Sequence, residues 1–195
     1  MKAHPNDIVG AIAFRRWLTN KERDITEVDS IAKQVPSQLL TYSIVKEELD
    51  IIRYKSLSAV GKPFIDFTVE TDSGRVSLSD FVGHNIPVLA LFWASWDNAA
   101  PRDVMEIYRR YNGKGLSVVG IALWDAPADS REIIAAKKIP WRQILGARER
   151  PADLYAINDL PYTILFAADG TIVARGLEGA SLSRAVARTV SIAVK

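Results

Sequence analysis

Two stretches constrain this chain more than anything else in it. Pro87 to Trp93 and Ser117 to Trp124 are apolar almost throughout, each of strand length, with a helical pattern between them. A strand that is apolar at every position has no face to give to water, so the sheet it joins must be covered on both sides. The residues between supply a cover: Val104, Ile107, Tyr108 and Tyr111 recur at i, i+3, i+4 and i+7, and Asn112-Gly113 and Gly115 end that stripe.

The flanking sequence extends the pattern. Phe64 to Val69 alternates and is rich in strand formers before a Ser73-Gly74 turn, and a short helix is predicted from about Ser79. A helix over Ser130 to Lys138 and a shorter strand over Trp141 to Leu145 follow the second apolar run. Tyr162 to Phe166 and Thr171 to Ala174 flank Asp169-Gly170, which predicts an antiparallel hairpin. Ser181 is expected to cap a closing helix whose Leu182, Ala185, Val186, Thr189 and Val190 cover one sheet face. The fold class is therefore α/β, a mixed central sheet flanked by helices.

Residues 1–60 read differently, as a helical N-terminal segment. Asn6-Asp7 caps a first helix with a stripe through Ile8, Ala11, Ile12, Arg15 and Leu18. A second helix is expected from Thr26 to Gln34, stopped by Pro36, and a third from Ser37, as its cap, to about Lys55. Gly61-Lys62-Pro63 marks the change to strands, which divides the chain into residues 1–60 and residues 61–195.

Composition removes several functions. The net charge is +2, and the basic residues are scattered, with Arg15-Arg16, Arg109-Arg110 and Lys137-Lys138 no more than dipeptides, so no nucleic-acid surface is expected. No stretch reaches the roughly 18 apolar residues of a membrane span. Ile8 to Phe14 is short and runs into arginines, unlike a signal peptide. His4 and His84 are the only histidines and carry no metal-ligand spacing, so no metal is expected. There is no phosphate-binding loop, dinucleotide fingerprint or serine elbow, so no cofactor is expected either. Asp97 and Asp125 as a pair lack the third group a hydrolase needs.

The 195 residues also contain no cysteine. This matters because of Phe92-Trp93-Ala94-Ser95-Trp96-Asp97-Asn98-Ala99-Ala100. Together with Gly61-Lys62-Pro63-Phe64-Ile65-Asp66-Phe67, Val76-Ser77-Leu78-Ser79-Asp80-Phe81-Val82-Gly83, Leu160-Pro161 and Asp169-Gly170-Thr171-Ile172, it resembles the TlpA/ResA-like thioredoxins, AhpC/TSA-related thiol-disulfide oxidoreductases. The resemblance runs from Gly61 to about Gly179 and implies a thioredoxin-like fold with an N-terminal helical extension. It also implies a cis-proline at Pro161 and a place in the periplasm or envelope. The C-x-x-C of the family falls on Asp97, Asn98, Ala99 and Ala100. Thiol-disulfide exchange passes through a mixed disulfide that only sulfur forms, so neither that reaction nor a peroxidatic one is expected.

Without the family, Asp97 and Asn98 read as the start of the helix that follows, with Asn98 or Ala100 as its cap. Trp93 is expected in the core. The resemblance makes Trp96, Asp97, Trp124, Leu160 and Pro161 the candidate binding residues: Trp96 falls where such domains expose an aromatic beside the redox site, Trp124 ends a strand near the same edge, and the implied cis bond at Pro161 leaves the backbone of Leu160 open to an extended peptide. The function expected is a redox-inactive module that binds a protein or peptide at the former redox face. Its alternatives are an oxidoreductase in likeness only, and a structural support within a larger envelope protein.

Overall fold

The computed structural model describes residues 6–21, 23–71, 74–97 and 100–193. His4, Ser73, Asn98 and Ala99 lie outside these. The chain divides into two compact units, Met1–Leu57 and Ser58–Lys195.

The first unit is helical. Helix α1 (Ile8–Thr19) starts where the Asp7 carboxylate accepts the amides of Val9 and Gly10 at 3.0 Å. The carboxylate of Asp24 does the same for helix α2 (Ile25–Ala32) through Thr26, and those bonds lower its pKa. The long helix expected from Ser37 is broken in two. Ser37–Thr41 winds as a 3-10 turn, preceded by Pro36 with no side-chain cap; Tyr42 is extended, and helix α3 covers Ser43–Leu57. In one straight helix Leu39 would sit roughly 80–120° around the axis from Val45 and Leu49. The break lets all three reach the core of Ala11, Phe14, Leu18 and Val28.

The second unit holds a five-stranded sheet in the order β5-β4-β3-β6-β7. Strands β3 (Val88–Trp93), β4 (Ser117–Ala122) and β5 (Arg142–Ile144) run parallel, while β6 (Tyr162–Phe166) and β7 (Ile172–Arg175) are antiparallel to their neighbours. A separate hairpin pairs β1 (Thr68–Thr71) with β2 (Gly74–Ser77). Every residue of β3 is buried. Its Leu89, Leu91 and Trp93 pack with Val104 and Ile107 of helix α4 (Arg102–Tyr111) and with Leu182, Val186 and Val190 of helix α7 (Gly179–Ala193). Phe92 meets Tyr155, whose ring packs on Phe166, which in turn meets Phe64. Helix α5 (Pro127–Lys137) follows β4, beginning three residues before the expected start because Pro127 suits a first turn. The short helix α6 (Arg150–Leu154), with Pro151 in its first turn, lies where no element was expected.

The strand expected over Phe64–Val69 is regular only from Thr68. Ile65 is held by a side chain instead of a strand: the Tyr155 hydroxyl accepts its amide at 2.9 Å and donates to its carbonyl at 2.8 Å. Burial of that hydroxyl pushes its pKa well above the usual phenol value.

Close approach of β4 and β5 depends on a missing side chain. A Cβ on Gly120 would lie 2.0 Å from Oε1 of Gln143. In the space left, that oxygen accepts the Nε1–H of fully buried Trp93 at 3.0 Å.

Candidate functional site

Strands β3 and β4 both end at the edge where the family resemblance places redox chemistry. Beyond β3 the chain turns through Ser95, Trp96 and Asp97, with the Asp97 amide donating to Ala94 at 3.1 Å. Beyond β4, Trp124 adopts a left-handed conformation at φ 58°, uncommon for a bulky residue. The next residue joins the two turns. The carboxylate of Asp125, 9% exposed, accepts the Ser95 amide at 2.6 Å, the Ser95 hydroxyl at 2.8 Å and the Ser130 hydroxyl at 3.1 Å. Asp125 therefore clasps the β3 turn to α5 and is committed to structure. Sequence reading offers it as a partner for Asp97 and, with Trp124, as a contact at this edge, and nothing local in the sequence pairs it with a serine 30 residues earlier.

The indoles flanking this clasp face outward: Trp96 is 66% exposed and Trp124 37%. Trp93 is buried, as expected. The helix-start reading of Asp97 is corrected. Helix α4 begins at Arg102 with Pro101 as its cap and no capping side chain, so neither Asp97 nor Ala100 takes that role. Pro101 sets this start, because its fixed φ ends the irregular stretch and it needs no amide partner. Asn98, the other cap considered, lies outside the described residues, while Ala100 packs on the core.

The acid that does work at this helix start is Asp103. Its Oδ1 accepts the Val104 amide at 2.9 Å, and its Oδ2 accepts the Gly179 amide, the first of α7, at 2.6 Å. Ser181, expected to cap that helix, instead lies within its first turn, because α7 starts at Gly179. The carboxylate comes from 76 residues away, which no local pattern could announce.

The Leu160–Pro161 peptide bond is cis. Pro161 borders a groove of about 890 Å³ with Leu91 and Thr163 beneath and the first turns of α4 and α7 as walls. Of the five candidate binding residues only Pro161 lines it; Trp96, Asp97, Trp124 and Leu160 do not. Thr163 is fixed by donating to the Leu177 carbonyl at 2.6 Å. Behind the proline, Arg175 donates from Nε to the Tyr162 hydroxyl at 2.9 Å, from Nη1 to the carbonyl and hydroxyl of Ser58 at 2.6 Å, and from Nη2 to the Tyr155 carbonyl. This guanidinium fixes the residue after Pro161, and sequence reading passed over it.

Chemically, the site holds no sulfur nucleophile, since the chain has no cysteine. Among the described residues no three His, Asp or Glu side chains gather as for a metal, and no helix is long and apolar enough to cross a membrane. What the arrangement offers is a groove floored by Leu91 and Thr163 and, outside its lining, two turns carrying the exposed indoles of Trp96 and Trp124.

Comparison with known proteins agrees on the second unit. The chain is similar to the thioredoxin domain of a thiol-disulfide oxidoreductase from Bacteroides vulgatus, at 28% identity and a TM-score of 0.58 over 68% of this chain and 98% of that one. It is similar to a thiol:disulfide interchange protein from a Bacteroides species, at 29% identity and a TM-score of 0.58 over 68% and 91%. A thiol-disulfide oxidoreductase from Bacteroides fragilis matches at 27% identity and a TM-score of 0.57 over 65% and 98%. No curated protein matches the sequence. The sequence profile of the AhpC/TSA family matches residues 60–175. That match spans more than half of the chain and the fold is thioredoxin-like, so this protein belongs to the AhpC/TSA family, as a member without cysteine.

Proposed function

We propose that this protein is a redox-inactive thioredoxin-like module of the bacterial cell envelope that binds an extended protein or peptide segment at the former redox face. The observation that carries the reading is the groove beside Pro161, in a chain whose Asp97 and Ala100 fall where the family resemblance puts the thiols. Substrate segments and binding partners need the same things of such a face, an apolar floor and backbone groups at an extended strand end. Only the bond exchange needs sulfur. Trp96 and Trp124 would flank the bound segment and Asp97 would supply charge, on a turn that Asp125 keeps in place.

Affinity capture from the envelope fraction tests this with three forms of the full chain. Proteins held by the wild type should be lost from Trp96→Ala/Asp97→Arg and from Ala180→Arg, which projects a side chain into the groove. Equal retention by all three would sink the proposal. In an insulin-disulfide reduction assay the wild type should show no turnover, and clear turnover by pure protein would overturn the redox-inactive reading.

A further inference from the structure

The Pro161 groove does not end at the first turns of α4 and α7. It shares Glu106, Ser183 and Arg184 with a second hollow of about 280 Å³ further along the same two helices. Ile107 and Ala187 border that hollow, and Arg110 of α4 joins Arg184 of α7 in its lining.

The charges along the groove are unevenly committed. Nε of Arg102 bonds Glu106 at 3.0 Å, so that carboxylate already has its cation. Both oxygens of Asp103 accept backbone amides. Glu178 stands at the Pro161 end, away from the hollow. Among the described residues neither Arg110 nor Arg184 has a carboxylate within ion-pair distance. The guanidinium of Arg110 instead lies 5.5 Å from the centre of the Tyr111 ring. Two arginines on facing helices thus share one hollow with the Ser183 hydroxyl. Guanidinium forks match carboxylates in shape and charge.

We propose that Arg110 and Arg184 form a carboxylate clamp that reads an acidic side chain of the segment bound beside Pro161. The proposal rests on the groove reading above and adds a requirement to it. Arg102 and Arg110 stand eight residues apart on α4, roughly 12 Å at the helical rise. An extended chain covers that in about four residues. The partner therefore carries Asp or Glu about four positions from the residue seated beside Arg102 in the groove that Pro161 borders.

The test is selection of a randomised, phage-displayed 12-residue peptide library on the full-length protein, followed by titration of a selected peptide. Acidic residues should be enriched about fivefold or more over the input at one position, and the enrichment should vanish on Arg110→Ala/Arg184→Ala. Affinity of the selected peptide should fall about five- to tenfold in Arg184→Ala. In Arg188→Ala, which removes the same charge from α7 outside the hollow, it should change less than about twofold. Bound peptides without acidic enrichment, or an Arg188→Ala loss equal to that of Arg184→Ala, would overturn the clamp and leave the groove standing. Recovery of no peptide would overturn both.

Discussion

Replacing Gly120 by alanine should destabilise the protein, although alanine is ordinarily the better strand residue. The gain from removing a strand glycine is about 0.5–1 kcal/mol. Against it stands the new Cβ, 2.0 Å from Oε1, 2.7 Å from Cδ and 2.9 Å from Nε2 of Gln143, which must swing away. Its departure strips the indole N–H of buried Trp93 of its acceptor, at a cost of about 1–3 kcal/mol. The net is a loss of up to about 2.5 kcal/mol. In a Gln143→Ala background that acceptor is already gone and the space is open, so Gly120→Ala should there stabilise by about 0.5–1 kcal/mol. Native-state hydrogen exchange at the β3 amides measures both effects within the sheet itself. The sign of the Gly120→Ala effect should reverse between backgrounds, giving a coupling of about 1–3 kcal/mol. Equal effects in the two backgrounds, within about 0.5 kcal/mol, would refute the reasoning.

Tyr155→Phe removes both bonds to Ile65 and should cost about 1–3 kcal/mol at pH 7 by urea unfolding. The folded protein keeps the phenol proton that an unfolded chain releases above the ordinary value of 10.0, so this contribution is whole below pH 10 and shrinks as pH rises further. The gap between wild type and Tyr155→Phe should therefore narrow between pH 9 and pH 11, and a constant gap would contradict it. Asp125→Ala leaves the Ser95 amide without its acceptor and should cost about 1–3 kcal/mol, with faster exchange at Ser95; unchanged exchange there would show that the clasp does not hold the turn.

Elements defined by unbroken or periodic apolar residues were legible in the sequence, as β3, β4, α4 and the β6–β7 hairpin show. Their burial follows from side-chain pattern alone. What escaped was set by single polar groups arriving from far along the chain. Ile65 lies in the alternation of a strand, yet both its backbone groups bond the phenol of Tyr155, 90 residues away, instead of a neighbouring strand. Ser181 has the chemistry of a cap, yet Asp103 reaches α7 first. At the site, the tract from Phe92 to Trp96 marks the end of β3, and the family context of Leu160-Pro161 announces its cis bond. The groove itself was out of reach, because Leu91, Arg102, Thr163 and Glu178 come from separate elements and no spacing relates them.

The hydrogen bonds of Ser58 to Arg175 and of Ile65 to Tyr155 close over 117 and 90 residues. Gly61 and Phe64 are bonded to residues just as distant, the carbonyls of Ile172 and Gly170. A ribosome adding about 5–20 residues each second delivers those anchors roughly 5–25 s after the stretch they secure. The first residues of the thioredoxin-like unit are thus the last to be fastened during synthesis. A truncation that removes β7 should release the beginning of the domain along with its end.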